Sequence, residues 1–378
     1  MPGPLEGIRI MEFAGIGPAP FCGMMLADHG AEVIRIDRIG GPQRSVDLLV
    51  NPLARSHKSI AIDMKKTEGV ALARDVAKSS DGLIEGFRPG VMERLGLGPD
   101  ILLKDNPKLV YGRMTGWGQT GPLAVAAGHD INYIALTGAL HTCGRDGAPP
   151  TPPVNYLGDF GGGGMLLAFG MAAGLLAVKN GASGQVIDCA MTDGSALLMA
   201  MTWGMLASGQ WKDERGANWL DTGSHFYDAY ETKDGRWVSI GSIEPQFYGL
   251  LRDKLGLAED PDFDAQLDRE AWPHLKEKLK SVFKTKTREE WCVLMEGSDV
   301  CFAPVLTLDE APRHRHNAAR ETFVRVDGAV QPAPAPRYSA TPAGTPRAAP
   351  KAGADADAVL ASIGRKDAAA LREAGVIG

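Results

Sequence analysis

Residues 8–37 read IRIMEFAGIGPAPFCGMMLADHGAEVIRID, and this stretch decides the fold. Ile8 to Phe13 reads as a strand, Pro20 to Asp28 has helical composition and stops at His29-Gly30, and Ala31 to Ile36 is a second strand. Apolar strands joined through a helix imply parallel pairing, with both sheet faces covered. The pattern continues with strands at Ser59–Asp63, Gly82–Glu85 and Leu109–Met114, a helix at Thr67–Lys78, and a later strand at Gln185–Ala190. The fold class is therefore α/β, with a doubly wound parallel sheet of Rossmann-like type. Ligands of such sheets bind beyond the carboxyl ends of the strands. The loops after Phe13, Ile36, Asp63, Glu85 and Met114 are the places to look for a site.

A chain of 378 residues has room for two domains. The large domain is expected over 1–204, followed by a glycine-dotted linker at 205–224. A smaller α+β domain spans 225–325. It opens with a hairpin, Phe226–Thr232 and Arg236–Ile240 around Lys233-Asp234-Gly235, because Asp-Gly between apolar runs is a strong turn signal. Helices follow at 245–255, 270–283 and 287–296. Residues 326–350 form an extended return arm, with six prolines between 331 and 350. Residues 351–378 are a C-terminal segment with a short helix at Asp367–Ala374.

Forty Lys and Arg against 46 Asp and Glu give a net charge of −6. Nucleic acid is therefore not an expected partner, and any anion must be held by a local basic cluster. Five cysteines (Cys22, Cys143, Cys189, Cys292, Cys301) are scattered and never spaced CxxC, which suits reduced thiols in a cytoplasmic setting. The opening MPGPLEGIRIMEF shows no basic region followed by an apolar stretch. The longest uncharged run, Phe160–Val178, has the length of a membrane span. It holds six glycines between Asp159 and Lys179, so a buried helix is expected and no membrane.

Gly15-Ile16-Gly17 after the first strand, with Asp37 after the second, imitates a dinucleotide fingerprint. Pro18 removes a backbone donor where a pyrophosphate needs one, and Pro20 takes the third glycine position, which excludes that reading. Arg35, Arg38, Lys58, Lys65, Arg88 and Arg94 gather near the strand ends. Singly, each is an ordinary surface residue; together they suit a phosphorylated tail.

Three segments carry acid–base residues: Gly128-His129-Asp130-Ile131-Asn132-Tyr133, Gly158-Asp159-Phe160 and Ile243-Glu244-Pro245. Asp159 could be a helix cap and Glu244 a first-turn acid, and a lone histidine is commonly structural. The run Gly161–Gly164 is not needed by a cap, because glycine costs about 1 kcal/mol per helical position. It suits backbone approaching a ligand, with N–H groups offered to an anion. One histidine and two carboxylates in such contexts are general acid–base equipment. His314 and His316 lack metal-ligating neighbours, so no metal is expected, and no cysteine has a base beside it.

The motifs IEGFRPGVMERLGLG, MTGWGQTGP, GHDINY, GDFGGGG, GQVIDCAMTDG and GSIEPQFYGLL, with the opening GPLEGIRIMEFAGIGPAPFCGMMLADHGAEVIRIDR, resemble the alpha-methylacyl-CoA racemases of the family III CoA-transferase superfamily. The resemblance covers most of residues 1–345. It implies a cofactor-free isomerase of 2-methyl-branched acyl-CoA thioesters, with coenzyme A entering as part of the substrate. His129 and Asp159 would flank the α-carbon, and Glu244 would pair with His129. Arg38, Lys65, Arg88 and Arg94 would hold coenzyme A, with Gly128, Asp130, Tyr133 and Gly161 lining the same cleft. The resemblance further implies an interlocked homodimer, with the active site between the large domain of one chain and the small domain of the other. Two bases on opposite faces of the carbon would exchange the proton, Asp159 having a pKa raised by burial. The N–H groups of Gly161–Gly164 would hold the enolate oxygen. Met191, Met199, Met201 and Met205 are candidates for an apolar acyl surface or plain core. A CoA-transferase using Asp159 as nucleophile is the alternative.

Overall fold

The computed structural model describes residues 2–40 and 50–378. The chain divides into two compact units: Met1–Thr137, Val154–Leu198 and Ala319–Gly378 form the first, Gly138–Pro153 and Met199–Ala318 the second.

The first unit is built on six strands, β1 (Arg9–Phe13), β2 (Glu32–Arg38), β3 (Lys58–Ile62), β4 (Gly82–Glu85), β5 (Val110–Thr115) and β6 (Gln185–Ala190). They pair in the order β3-β2-β1-β4-β5-β6, all parallel. Because side chains alternate along a strand, each strand feeds two cores. Met11, Ile34, Leu83 and Tyr111 enter one layer, under helix α2 (Thr67–Lys78), which contributes Leu72 and Val76. Ile10, Val33, Ile84 and Val110 enter the other, under helix α1 (Pro18–Asp28), which contributes Cys22 and Leu26. Each fully buried aliphatic side chain of this kind stabilises the fold by about 1.5–3 kcal/mol. The order reverses between β1 and β4, so the crevice of the sheet opens at the loops following these two strands.

Helix α1 starts at Pro18 rather than Pro20, since proline in a first helical turn sacrifices no hydrogen bond. The uncharged run departs further from expectation. It begins as a π-helix, Tyr156–Met165, and continues as an α-helix, Leu166–Lys179. Leu167, Ala168, Met171 and Leu175 are buried, whereas Phe169 and Leu176 are 71% and 59% exposed. The sheet covers one face of this helix only. By length and composition Tyr156–Lys179 could cross a membrane, and it is the one such helix among the described residues.

The second unit holds an antiparallel sheet of β7 (Tyr227–Glu231), β8 (Trp237–Gly241) and β9 (Phe302–Val305). Helices Pro245–Leu255, Trp272–Phe283 and Arg288–Met295 pack on it around Phe226, Tyr230, Leu275, Phe283 and Trp291. Strand β9 escapes sequence reading because it is only four residues long, and its side chains alternate between partly and fully exposed with none buried. Much of the stretch expected as a linker is ordered. Ala200–Ala207 is helical, and the fully buried Asn218 ties the following loop through hydrogen bonds to Lys212 O, Glu214 O and Asp221 Oδ2.

The return arm contains a hairpin, β10 (Phe323–Val326) and β11 (Ala329–Pro332), turning at Asp327-Gly328 with φ of 51° and 77°. Positive φ at both central residues matches the twist of paired strands. Beyond it the chain returns across the first unit. Arg55, itself in a buried ion pair with Asp28, donates to Pro332 O at 2.7 Å, Ser59 Oγ accepts from Gly353 N, and Ile377 bridges to Ile62.

Candidate functional site

His129 is the residue before the helix Asp130–Leu136, where the Asn132 side chain reaches back to accept from the His129 N–H at 3.0 Å. Its imidazole is exposed, while Asp130 is turned inward and buried. Asp130 Oδ1 accepts from Gly158 N and Asp159 N, both at 2.7 Å. These are first-turn donors of the π-helix, which would otherwise lack partners. One carboxylate thus belongs to the His129 segment by covalent structure and to the Asp159 segment by hydrogen bonds.

Asp159 is half-buried. Burial pushes its carboxyl above the usual range; the hydrogen bond from Asn155 Nδ2 at 3.1 Å lowers it, the Asp130 charge adds to the rise, and His129 pulls it back. The turn after β1 lies against this carboxyl. Gly17 has φ +70°, and a Cβ there would stand 3.4 Å from Asp159 Oδ2. The false dinucleotide turn therefore faces a carboxyl group where a phosphate would have to sit. His129, Asp159 and Gly17 belong to one neighbourhood at the switch point of the sheet.

The glycine run serves packing, contrary to the expectation of ligand-facing donors. Gly161–Gly164 lie inside the π-helix, where N–H groups bond five residues back. Cβ atoms would meet Ser195 N at 2.6 Å from Gly162, Met191 Cγ and Pro18 Cβ at 3.0 Å from Gly163, and Pro18 O at 2.8 Å from Gly164. From the facing helix (Met191–Leu198), a Cβ on Gly194 would fall 1.8 Å from Gly162 O. Gly161 is bounded by Tyr156 O and Leu198. Two other residues expected to line the cleft also turn to the protein interior. The Tyr133 hydroxyl donates to Gly128 O and its ring fills the space a Cβ on Gly128 would need, and Asp130 is engaged as above. Gly128 is thus required by close contacts of the chain with itself, and Gly161 is tightly bounded. Among the described residues, no acceptor takes the N–H of Asp130 or Ile131, beside His129.

The cations sort cleanly. Arg35 pairs with Asp37 at 2.8 Å, Lys58 with Glu32 at 2.5 Å, and Arg113 with Glu85 and Glu93 at 2.9 and 2.8 Å. Arg38, Lys65, Arg88 and Arg94 are all exposed, and none has a carboxylate partner among the described residues. Arg38 ends β2, Lys65 follows β3, and Arg88 and Arg94 follow β4, at the carboxyl edge of the sheet. Arg88 acts on Tyr133, where its charge opposes the upward push that burial and Asp159 give the phenol. Four uncompensated cations at one sheet edge can hold a polyanion.

Glu244 lies in the second unit, exposed, just before the helix Pro245–Leu255. Gln266 donates to Ser242 O and Ile243 O at 3.0 and 2.9 Å, which fixes the approach to it. Of the methionines, Met191 is buried in the first unit, and in the second Met205 is buried while Met201 is exposed. Burial pushes the Cys189 thiol up to about 12, and Cys22 is raised by burial and then by Glu12, so both are poor nucleophiles. His314 pairs with Glu296 at 2.7 Å. Sequence reading missed Gly17 and Asn155. The four-residue spacing of Asn155 and Asp159 was the available signal for the second.

Free cations at the sheet edge, in the same unit as the imidazole and the half-buried carboxyl, suit an anionic ligand. The family model described as CoA-transferase family III matches residues 5–356, and the chain belongs to that family. It is 47% identical to the alpha-methylacyl-CoA racemase of Mus musculus over 341 residues, covering 90% of this chain and 87% of the mouse protein. The alpha-methylacyl-CoA racemase of Homo sapiens is 44% identical over 340 residues, with the same coverage. The crystal structure of a CAIB/BAIF family protein from Brucella suis shares the fold, with a TM-score of 0.82 at 23% identity, covering 96% of this chain and all of that one.

Proposed function

We propose that the protein interconverts (R)- and (S)-2-methylacyl-CoA thioesters by proton exchange at C2. The observation that carries this reading is the neighbourhood of His129 and Asp159 at the sheet's switch point, two proton-handling groups joined through Asp130. Neutral His129 removes the C2 proton from one epimer, and the electron pair moves into the thioester carbonyl to give an enolate. Protonated Asp159 then delivers its proton to the opposite face. The reverse direction uses Asp159 as the carboxylate base and protonated His129 as the acid. Raising the Asp159 pKa keeps its protonated form available, which burial favours. The free N–H groups of Asp130 and Ile131 suit the enolate oxygen, in place of the glycine donors. Arg38, Lys65, Arg88 and Arg94 suit the phosphates of coenzyme A, which enters only as part of the substrate.

The protein acts as a cytoplasmic homodimer in which Glu244 of one chain meets His129 of the other and stabilises the imidazolium. The exposed apolar side chains Phe169 and Leu176 support burial against a second chain, and the five free cysteines fit a reducing compartment. The test incubates one epimer of a 2-methylacyl-CoA with the protein in heavy water and no acceptor acid. Deuterium at C2 with loss of chiral purity is expected, and His129→Ala and Asp159→Ala each abolish both. Acyl exchange appearing only when a free acid is added would identify a CoA-transferase instead.

A further inference from the structure

We propose that Asp130 is the positioning residue of this site, a single buried side chain that sets the spacing between His129 and Asp159. The proposal rests on the racemase reading for the consequence and on geometry for the role. Asp130 is 6% exposed. Its Oδ1 takes two hydrogen bonds at 2.7 Å from backbone 28 and 29 residues away, one of them from Asp159 itself. Position 158 is shaped for it, since a Cβ on Gly158 would lie 2.5 Å from Asp130 Oδ1. The second oxygen, Oδ2, is buried with no hydrogen-bond partner. A buried carboxylate with one idle oxygen is a poor stabilising element for its own sake. Its value lies in what the other oxygen holds: the backbone of one proton-handling residue, one peptide bond away from the other.

The same carboxylate sets a field. The groups facing Asp159 are Asp130 and His129 from the helix beside it and Asn155 from its own, with Tyr133 coupled to it and Arg88 acting on Tyr133. The packed helix Met191–Leu198 carries Asp193, which is exposed, and α1 carries Asp28, which is neutralised by Arg55. Removing the Asp130 charge lets the Asp159 carboxyl ionise more readily, because that charge adds to the rise.

Asp130→Asn keeps an acceptor oxygen and removes the charge, whereas Asp130→Ser is too short to hold both N–H groups. The serine variant should lose about 10²-fold in kcat with KM for the thioester little changed, the scale of effect for about 1 Å of misplacement. In the asparagine variant the acid limb of the kcat/KM profile should move to lower pH, equally for both epimers because their ratio is fixed by the equilibrium constant. Carboxyl-carbon NMR titration of Asp159 should show the same displacement without any turnover. Both variants are checked for folding by thermal unfolding, and a variant that does not fold leaves the other to decide. A serine variant with full kcat, or an asparagine variant with an unmoved Asp159 titration, overturns the proposal. Displaced titration in a protein whose wild type does not epimerise would keep Asp130 as the positioning residue and overturn the racemase reading alone.

Discussion

Arg88→Ala tests the sheet edge as the seat of the substrate's phosphates. Arg88 follows β4 at the switch point, is exposed, and has no carboxylate partner among the described residues, so its removal breaks no ion pair and leaves no buried group behind. On the proposed assignment, what is lost is contact with the ligand. A hydrogen bond to a charged group contributes about 1.5–3 kcal/mol, and exposure with screening at ordinary salt trims this to about 1–2 kcal/mol. At about 1.4 kcal/mol per decade, the expected change is a roughly 5- to 30-fold rise in KM for the acyl-CoA and in the inhibition constant of free coenzyme A. An arginine seated on the phosphates would be remote from C2 and the carbonyl, so on this assignment kcat should stay within about twofold. Arg74→Ala is the control. That guanidinium is engaged by Asp105 at 2.9 and 3.0 Å, and its loss should leave both constants alone. Raising ionic strength should weaken binding to the wild type more than to the Arg88 variant. A fall in kcat with KM and coenzyme A inhibition unchanged, or an equal effect from Arg74→Ala, would refute the assignment.

Three further outcomes follow from the packing and charge described above. Asp159 has a folded-state pKa above its unfolded one, so the folded protein loses stability as pH rises through the interval between them; Asp159→Asn should raise the melting temperature at pH 7, with the gain shrinking in acid. Gly194→Ala puts a methyl group 1.8 Å from Gly162 O and should destabilise by about 1–3 kcal/mol or more in urea unfolding, while Gly204→Ala, with open space around it, should not. Arg55→Ala leaves Asp28 buried and charged and frees Pro332 O, so a loss of about 3–5 kcal/mol is expected, together with faster proteolysis of the C-terminal arm.

The sheet was legible because strands buried on both faces carry apolar residues at consecutive positions, as in Ile10-Met11 and Ile60-Ala61-Ile62, where no alternating surface pattern competes. The cations were legible for a related reason: once the strands are placed, Arg38, Lys65, Arg88 and Arg94 can only fall at one edge. The glycine run was legible as unusual and misread in purpose. Glycine admits any close neighbour, and the neighbour here is Gly194-Ser195, thirty-odd positions downstream on a helix whose approach no local pattern encodes. Asp130 shows the same limit. Beside His129 it reads as part of a ligand cleft, but the inward turn of its side chain is set by backbone donors at 158 and 159. Contacts within a segment are written in its composition; contacts between segments are written in the fold.

The direction of the Asp159 shift also bears on which reaction the site favours. A carboxylate that attacks a thioester must be ionised, and an environment serving it would supply several hydrogen bonds or a cation close by. Asp159 has the opposite surroundings. Partial burial raises its pKa, the negative Asp130 raises it further, and a single hydrogen bond from Asn155 with the nearby His129 opposes them. A racemase has a use for that balance. It must present imidazole with carboxylic acid to one epimer and imidazolium with carboxylate to the other. These two forms carry the same net charge and differ only in where one proton sits. Both are populated when the two pKa values approach each other, and lifting a carboxyl toward the imidazole range is how an aspartate meets a histidine. Strengthening the hydrogen bonding to the Asp159 carboxylate should therefore slow epimerisation in both directions, because it deepens one of the two forms at the expense of the other.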